Sequence, residues 1–396
     1  MIAEAGDICY NSHMGGREIL LCYLGRKGGG AVYSYEMAKA LAATGCKVTA
    51  VISKYVENLG FWQQLPIENV IAVKTYTSKI TYLVNSILFP FTQKKKIKRA
   101  LGGARFDALY IPMTAYWDAK IMKCALYSQL VATLHDPVAH TGESRYNSMV
   151  KADISEADKL VVLSKEFVEF VSGKYRKPVA FIPHGRFNYY KGNFPSGDSA
   201  SVSAGNDEAE RGSDSDGARA DAKITFLFFG RLTEYKGLRV LADAFRLCQD
   251  KMDNYSLVVA GSGKWADYEK YFAGIKNLKV LNKWFGDREV DALFRAPNVV
   301  TVLPYTDATQ SGVIPIAKEY KSAVIATNTG GLKEQIEDGA TGLLVSPSDA
   351  GALAGAMLRL YGDAALRARL AEAAYKGLEE LNWDRLAEKL VNFIRL

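Results

Sequence analysis

The sequence is poor in cysteine, and its five cysteines follow no recognisable spacing. They form no C-x-x-C pair and no zinc-type pattern, and their number is odd, which argues against a disulfide framework and against a cysteine metal site. Scattered, unpaired cysteines are typical of a reducing compartment. We therefore expect a cytoplasmic protein.

Long hydrophobic runs are also missing. No apolar stretch approaches the roughly 20 residues that cross a bilayer, and no N-terminal segment combines a basic flank, an apolar core and a small-residue cleavage site. We expect neither an integral membrane protein nor one secreted by a standard signal. The chain also lacks an aromatic and basic RNA motif, a zinc finger and a basic zipper region, so no nucleic-acid partner is expected.

The net charge of +7 is distributed unevenly along the chain. Residues 1–195 carry 25 Lys/Arg against 15 Asp/Glu, whereas residues 223–396 carry 23 against 21. A basic first half is suited to an anionic membrane or to a phosphorylated acceptor. Residues 196–222 are rich in Ser, Gly, Asp and Glu, and such a segment buries too little apolar surface to offset its ordering entropy. We predict a flexible acidic linker or insertion there.

With 396 residues, nearly half of them apolar, the chain is long enough for two domains. Strand-like and helix-like segments alternate in both halves, which predicts two doubly wound parallel sheets of the α/β class. Strands are predicted at 18–23, 47–52, 108–111, 130–134, 159–163, 179–182, 224–229, 255–260, 278–281, 299–303, 324–327 and 343–345. Helices are predicted at 31–44, 238–250, 287–296, 314–320 and 350–361. The domains are expected at 17–195 and 223–380.

Two cations stand five residues apart in the loop between a predicted strand and a predicted helix. The apolar run 224–229 is typical of a strand buried on both faces, and residues 238–245 have helical periodicity. The loop therefore lies at the carboxyl edge of the sheet, where open α/β folds bind ligands. Arg231 offers a planar fork to phosphate oxygens, and Lys236 adds a point charge. We interpret this loop as a diphosphate clamp, although surface cations at helix starts also occur without a ligand.

Three further stretches, 303–317, 324–331 and 338–345, follow in an order and spacing that resemble the nucleotide-sugar half of a family-4 glycosyltransferase. The resemblance is strong from residue 224 onward and weaker before it. That family consists of retaining enzymes of the GT-B fold. The resemblance implies two Rossmann-like domains facing across a cleft, and a final helix within 380–396 that packs back on the N-terminal, acceptor-side domain.

Glycines provide the first candidate donor contacts. Gly29 and Gly30 lie between the first strand and the first helix, where glycine lets the backbone approach a ligand closely. The resemblance implies that this loop touches the diphosphate and the acceptor, and a plain flexible turn is the alternative. Gly230 in the clamp loop and Gly261 in a second glycine turn are also assigned to the donor.

His135 directly follows the predicted strand 130–134, so it is expected at the cleft. The resemblance implies that it lies against the donor sugar and the reaction centre. The alternative is a structural histidine that caps its loop through Asp136. His140 and Arg145, slightly later in the chain, are candidate acceptor-side residues.

The chain departs from the family in its carboxylates. Typical members carry two glutamates eight positions apart, and the matching positions here are Ala308 and Ile316. A subset of similar sequences has a T-Q-S-G run instead. We assign Asp307 to sugar recognition and place it with His135, Arg231 and Lys236 among the catalytic residues. The run itself is assigned to the phosphates and sugar: Thr309, Gln310, Ser311, Gly312 and Val313.

An apolar and aromatic segment at 80–91 precedes the cationic cluster of Lys94, Lys95, Lys96, Lys98 and Arg99. Such a combination suits insertion into the surface of an anionic membrane, on the inner face for a cytoplasmic protein. The alternative is a helix packed on the sheet, followed by a solvated basic end.

The resemblance implies a retaining glycosyltransferase that moves a sugar from a nucleotide-diphosphate donor to a glycan or lipid-linked glycan acceptor. No cofactor is expected, and no metal is required because the clamp cations can neutralise the leaving diphosphate. Two other hypotheses stay open. One is an epimerase or phosphorylase of the same architecture. The other is a non-catalytic sugar-nucleotide-binding protein, motivated by the missing glutamates.

Overall fold

Two parallel β-sheets, one in each half of the chain, organise the computed structural model, which describes residues 16–138, 154–191 and 223–396. The predicted linker at 196–222 lies outside the described residues. The apolar strand segments are buried on both faces because helices cover both sides of each sheet.

The N-terminal sheet has seven parallel strands in the order β3-β2-β1-β5-β7-β8-β9, and β4 and β6 form a separate parallel pair. The strands are β1 Glu18–Tyr23, β2 Lys47–Ser53, β3 Asn69–Val73, β4 Arg105–Phe106, β5 Ala108–Ile111, β6 Leu126–Tyr127, β7 Leu130–Leu134, β8 Lys159–Val162 and β9 Val179–Phe181. The helices are α1 Gly29–Ala43, α2 Leu59–Gln64, α3 Lys79–Leu88, α4 Gln93–Leu101, α5 Asp118–Met122 and α6 Phe167–Tyr175.

The C-terminal sheet has six parallel strands in the order β12-β11-β10-β13-β14-β15. The strands are β10 Ile224–Phe229, β11 Tyr255–Gly261, β12 Leu278–Asn282, β13 Val299–Leu303, β14 Ala323–Thr327 and β15 Leu343–Val345. The helices are α7 Leu238–Cys248, α8 Asp287–Arg295, α9 Val313–Glu319, α10 Leu332–Gln335, α11 Ala350–Gly362, α12 Ala364–Lys376 and α13 Trp383–Arg395.

The predicted α/β class with two doubly wound sheets is confirmed. In each sheet the strand order reverses beside the first strand, between β1 and β5 and between β10 and β13. Such a reversal opens a crevice at the carboxyl ends of the strands, which is where doubly wound sheets bind ligands. The glycine loop after β1 and the cation loop after β10 both leave their sheets at these points. Strand β3 was not predicted from the sequence.

Helix α13 returns from the C-terminal half and packs into the N-terminal core. Its apolar face joins the core cluster around α1, and Trp383 is only 6% exposed. The Trp383 indole lies edge-on to Tyr33, with ring centroids 5.1 Å apart, and its Nε1 donates to the carbonyl of Arg186 at 2.8 Å. Gly185 lies so close to this indole that a Cβ atom there would overlap it.

The apolar side of helix α3 faces solvent, whereas an ordinary surface helix turns its apolar side toward the core. None of its residues is buried, and its apolar side chains face away from the protein. Its polar side is attached instead: Trp117 Nε1 donates to Ser86 Oγ at 3.0 Å, and Asn85 Nδ2 donates to the carbonyl of Thr75 at 2.5 Å. The exposed apolar stripe of α3 is therefore not the side of the helix that packs on the protein, although Tyr82 and Phe89 of the segment 80–91 do contact the core. The packed helix is α4, which buries Ile97 and Leu101.

No helix within the described ranges combines the length and the apolar composition needed to cross a bilayer.

We expect Trp383→Ala to lower the free energy of unfolding of the N-terminal unit by about 3–5 kcal/mol, because it leaves a large cavity where α13 meets the core. Urea unfolding followed by circular dichroism measures the change. The matched control is Phe170→Ala, at an aromatic residue that is 44% exposed, which should cost less than about 1 kcal/mol. Equal effects of the two substitutions would contradict this account of α13.

Candidate active site

A cavity of about 280 Å³ lies between the two halves of the chain, at the carboxyl ends of both sheets. Eleven residues predicted from the sequence line it: Gly29, Gly30, His135, Gly230, Arg231, Lys236, Gly261, Gln310, Ser311, Gly312 and Val313. Asp307 and Thr309 do not line it. His140 and Arg145 lie outside the described residues. The structure thus brings most of the predicted set together, while the individual roles remain predictions.

The glycine loop forms the N-terminal wall. Gly28 precedes α1 with φ of 79°, a conformation that glycine adopts without strain. A Cβ atom on Gly30 would overlap the sulfur of Met113, whereas a Cβ on Gly29 would meet nothing within 4 Å. Glycine at position 30 therefore leaves the space that the end of the Met113 side chain occupies. At position 29, which lines the cavity, a side chain would meet open space.

The two clamp cations enter the cavity differently. Arg231 is exposed at the rim, whereas Lys236 is half-buried in a short 3-10 helix at Glu234–Lys236. The Lys236 ammonium lies 3.7 Å from the ring centroid of Tyr305 and 4.9 Å from that of Tyr235. Burial lowers the pKa of Lys236, the nearby Arg231 charge acts in the same direction, and Tyr235 opposes the shift. A bound anion would restore the charged form that burial disfavours.

Two loops pack closely at Gly230 and Gly261, and this packing favours glycine at both positions. Both have positive φ, 137° and 152°, and a Cβ atom on Gly261 would overlap the carbonyl oxygen of Gly230. The loops are joined further by the Leu232 N–H, which donates to the Ser262 carbonyl at 3.0 Å. These glycines thus let two β–α loops meet at the cavity floor. A ligand contact is not needed to explain them.

His135 is buried and held in one orientation. Its Nε2 lies 2.8 Å from the carbonyl oxygen of Pro112, and since a carbonyl only accepts, Nε2 carries the proton and Nδ1 is left as an acceptor. Burial lowers the pKa of His135, and the bond to Pro112 only partly opposes this. His184, 6.4 Å away between ring centroids, also lines the cavity, and burial lowers its pKa to about 3. Both imidazoles are therefore neutral near pH 7.

The T-Q-S-G run connects the two halves. Thr309 Oγ1 lies 2.6 Å from Asp136 Oδ1 and 3.3 Å from the carbonyl oxygen of His135. The Gln335 side chain binds the Ser311 backbone. Its Oε1 accepts from the Ser311 N–H, and its Nε2 donates to the Ser311 carbonyl, both at 2.9 Å. The Gln310 side chain lines the cavity, and its buried Oε1 has no hydrogen-bond partner among the described residues. Such an orphaned acceptor in a cavity is suited to a ligand hydroxyl.

The two positions that carry glutamate in typical family members differ in location. Ile316 lines the cavity. Ala308 is buried, and its carbonyl oxygen lies in close contact with Gly330. Neither side chain can accept a hydrogen bond. Any hydroxyl contact in this part of the cavity must therefore come from other side chains or from the backbone.

Glu57 is a cavity residue that the sequence analysis missed. Its Oε1 accepts from the Gly28 N–H at 2.5 Å, and its Oε2 accepts from Trp284 Nε1 at 3.2 Å. The carboxyl thereby joins the glycine loop to the C-terminal half. Burial raises its pKa to about 7, and the charge of Asp287 adds to the shift. Its position four residues beyond β2, at the carboxyl edge of the sheet, is the signal that could have identified it.

Aromatic and acidic groups form the wall beyond Glu57. Trp284 and Phe285 both line the cavity, and Lys27 Nζ lies 5.4 Å from the Trp284 ring centroid. Asp287, at the start of α8, accepts from the hydroxyl of Tyr189 at 2.9 Å. This wall offers a flat apolar surface beside two carboxylates, which suits a nucleoside better than a phosphate.

Glu334 joins the two halves of the chain at the opposite edge of the cleft. From the C-terminal half it accepts hydrogen bonds from Ser164 Oγ and from the backbone N–H groups of Lys165 and Glu166, at 2.7–2.9 Å. These donors precede α6, where a carboxylate also interacts favourably with the helix dipole. With Glu57 on one side and Glu334 on the other, the two halves are bridged at both edges of the cavity.

The assembled site can bind and stabilise negative charge. The cavity is lined by three cations, Arg231, Lys236 and Lys283, and by a glycine-rich helix start, and its two histidines are neutral acceptors. The groups suited to receiving a proton from a substrate are the carboxylates and His135 Nδ1. The arrangement favours displacement chemistry that is driven by electrostatic stabilisation of an anionic leaving group.

Family comparisons agree with this geometry. A family model described as Glycosyl transferases group 1 matches residues 213–377, and one described as Glycosyltransferase Family 4 matches residues 27–186. Each therefore matches one half of the two-sheet architecture.

Among curated relatives, the D-inositol 3-phosphate glycosyltransferase of Corynebacterium efficiens is 30% identical over 208 residues, which cover 50% of this chain and 48% of that protein. The chain spans about half the length of the curated relatives it matches.

Solved structures are similar over nearly the whole chain. Sucrose-phosphate synthase from Thermosynechococcus elongatus has a TM-score of 0.65 at 21% identity, covering 96% of this chain and 98% of that one. Anabaena HepE in complex with UDP-glucose has a TM-score of 0.67 at 15% identity, covering 96% and 100%. At these identities the likeness establishes the fold, which is GT-B.

Glu57 predicts a pH dependence of stability. Because the pKa of its carboxyl rises from an ordinary 4.5 to about 7 on folding, the folded state binds more protons between these values, and the free energy of unfolding falls as pH rises through this window. Glu57→Gln should remove this contribution, so its stability relative to wild type should increase from pH 4.5 to about 7 and then level off. Urea unfolding across this range tests the sign.

The matched control for that experiment is Glu68→Gln, at an exposed carboxylate. This control measures how far the loss of one surface carboxylate changes stability across the same window. A flat difference for Glu57→Gln would show that this carboxyl is not destabilised by burial.

Proposed function

The chain belongs to the family-4 glycosyltransferases, and on this premise we propose that it transfers a sugar from a nucleoside-diphosphate-sugar donor to a glycan or lipid-linked glycan acceptor, with retention at the anomeric carbon. One observation carries the proposal: Arg231 and Lys236 share a cavity with the glycine-rich start of α1, across the cleft between the halves. Positive groups from both sides suit a diphosphate between them.

In the proposed reaction an acceptor hydroxyl attacks the anomeric carbon on the face from which the diphosphate leaves. The bond from the acceptor oxygen to the anomeric carbon forms, the bond from that carbon to the diphosphate oxygen breaks, and the hydroxyl proton passes to a diphosphate oxygen. The nucleoside diphosphate departs with the bonding electrons, so Arg231 and Lys236 stabilise the charge that develops. With that charge neutralised by side chains, the proposal requires no metal and no cofactor.

His135 has a positioning role in this proposal. Since its Nε2 proton is held by the Pro112 carbonyl and its pKa is lowered by burial, it does not serve as an acid near pH 7. Its Nδ1 can accept a hydrogen bond from a sugar hydroxyl. The unpartnered Gln310 Oε1 supplies a second acceptor in the same cavity. On the opposite wall, Trp284 and Phe285 are suited to the nucleoside.

A specific observation also favours a second candidate, a sugar-nucleotide-binding protein without transferase activity. The two family glutamates are replaced by Ala308 and Ile316, which cannot contact hydroxyls through their side chains. Such a protein would bind donor but would release no nucleoside diphosphate, either by transfer or by slow hydrolysis. An epimerase would convert the donor without any acceptor. The first experiment below separates these three outcomes.

Charge removal in the clamp tests the function directly. Donor binding is identified by thermal shift across UDP-, GDP- and ADP-glucose, because a bound donor stabilises the folded form. With the stabilising donor, Arg231→Ala and Lys236→Met should each lower nucleoside-diphosphate release by about 100-fold. Methionine preserves the apolar stem that packs on Tyr305.

The matched control is Arg239→Ala, at an exposed arginine of α7 in the same loop-helix unit, which should stay within about twofold of wild type. Unchanged turnover in both clamp variants would refute the proposed function. Donor binding by the wild type without any release of nucleoside diphosphate or conversion of the sugar would favour the non-catalytic candidate.

We further infer peripheral attachment to an anionic membrane through residues 80–99. An apolar stripe with helical spacing is exposed to solvent: Ile80, Leu83, Val84, Ile87, Leu88 and Phe91. Between Asn69 and Phe106 the chain has eight Lys/Arg and no Asp/Glu. An apolar face inside a purely cationic segment complements a bilayer with anionic lipid, and supports a cytoplasmic protein on the inner membrane face.

The double variant Ile80→Asp/Ile87→Asp should abolish binding to vesicles of phosphatidylcholine with about 30 mol% phosphatidylglycerol, because it places two charges in the apolar stripe. Co-sedimentation measures the bound fraction. Leu247→Asp, at an exposed leucine of α7, is the matched control and should bind as wild type does. Absence of wild-type binding, with light scattering showing a dimer broken by the double variant, would assign α3 to self-association instead.

A further inference from the structure

The short helix α10 lies between the T-Q-S-G run and the N-terminal half of the chain. Two neighbouring side chains of this helix bind different partners. Glu334 accepts three hydrogen bonds from groups of the N-terminal half that precede α6. Gln335 accepts from the Ser311 N–H and donates to the Ser311 carbonyl, both at 2.9 Å. One helix therefore provides both a contact across the cleft and the contact that holds the run.

The backbone directly before α10 packs against the same two partners. A Cβ atom on Gly330 would overlap the carbonyl oxygen of Ala308. A Cβ atom on Gly331 would overlap the carbonyl oxygen of Thr309 and would also lie 2.9 Å from Ser164 Cβ, in the N-terminal half. The run, the turn before α10 and the N-terminal half are thus in direct contact at Gly331. Segments packed this closely transmit a displacement of one to the others.

The backbone of Gln335 is held by the C-terminal core. Leu332 at the start of α10 and Ile336 just after its end are both buried in that core. Lys318 of α9 is also buried, and its ammonium donates to the Gln335 carbonyl. The Gln335 side chain therefore extends from a fixed backbone, and its two hydrogen bonds determine where the Ser311 backbone lies.

Gln335 fixes the two peptide units on either side of Ser311, because it binds the N–H of one and the carbonyl of the other. The second unit also contains the Gly312 N–H, and a trans peptide unit is planar, so this N–H points away from α10. The first unit follows Gln310, whose buried Oε1 has no partner among the described residues. Gln310, Ser311 and Gly312 all line the cavity. Their orientation there thus depends on Gln335.

We propose that Gln335 and Glu334 are positioning residues of the donor site. Gln335 orients the acceptor Gln310 Oε1 and the Gly312 N–H toward the donor, and Glu334 makes this orientation depend on contact with the N-terminal half. Neither side chain lines the cavity, so both act through the run. Contact between the halves at Glu334 therefore completes the donor site. The inference rests on the proposed transferase function and names a control over its donor binding.

Isothermal titration calorimetry tests the role of Gln335, with whichever of UDP-, GDP- and ADP-glucose stabilises wild type. Gln335→Met keeps the length of the side chain and removes both hydrogen bonds, so donor binding should weaken by about tenfold. The matched control is Gln249→Met. Gln249 likewise accepts from a backbone N–H, that of Lys276 at 2.9 Å, and donates to the Gly274 carbonyl at 3.3 Å, away from the cavity. This control should bind donor within about twofold of wild type.

Amide hydrogen exchange of the donor-free protein, measured by mass spectrometry, tests the role of Glu334. Glu334→Ala should speed exchange at the Ser311 N–H by about fivefold, because α10 loses its three hydrogen bonds across the cleft and holds the run less firmly. Lys333→Ala is the matched control on the same helix. It removes only an exposed ion pair with Glu166 across the same interface, at 3.1 Å, and such pairs contribute little to stability. Exchange at Ser311 should then equal that of wild type.

Wild-type donor affinity in Gln335→Met would overturn the proposal, and so would exchange at Ser311 that Glu334→Ala leaves unchanged. An equal loss of donor affinity in Gln249→Met would also overturn it, because the loss would then follow from lower stability alone. Failure of the proposed function gives a different result. Wild type then binds none of the nucleotide sugars, which removes the donor role of Gln335, whereas faster Ser311 exchange in Glu334→Ala still supports the coupling between α10 and the run.

Discussion

The burial of α13 in the N-terminal core is the constraint on which the rest of the structure depends. A single chain with two doubly wound units could place its sheet edges in many ways. Because Trp383 and the apolar face of α13 are inserted beside α1, the chain must cross back, and the two carboxyl edges face each other. Glu57 and Glu334 then bridge the two edges of the cleft. The cavity exists because two strand reversals meet there, and neither half forms it alone.

Both positive groups and carboxylates line that cavity. Burial disfavours charge on His135, His184 and Lys236 alike, and an anion bound beside Lys236 would favour its charged form. The family's glutamate pair would have added negative charge to this wall, but an alanine and an isoleucine stand there. Gln310 Oε1 is a neutral acceptor without a hydrogen-bond partner among the described residues, and burial raises the pKa of the Glu57 carboxyl to about 7.

The surface of the N-terminal half is distinguished by the exposed apolar side of α3. Soluble proteins rarely expose a contiguous apolar stripe along a helix, since its burial against a core would be favourable. Here α3 is attached through its polar side, by Ser86 and Asn85, and its apolar side is left outward amid unopposed positive charge. The inner side of the same helix contributes Tyr82, whose ring packs against those of Tyr76, Tyr116 and Trp117.

The sequence by itself determined the features that depend on local periodicity and loop chemistry. Buried strands read as apolar runs, strand–helix alternation implied parallel sheets, and cations or glycines directly after strands fell at the cavity because strand ends share one edge. Only the tertiary structure decided the rest. Glu57 meets Trp284 across 227 residues of chain, and Gly261 must be glycine because of Gly230. The apolar stripe of α3 has ordinary helical spacing. Whether it faces the core or the solvent depends on which side of the helix forms contacts with residues elsewhere in the chain. Such outcomes are set by contacts between distant residues, and no local pattern encodes them.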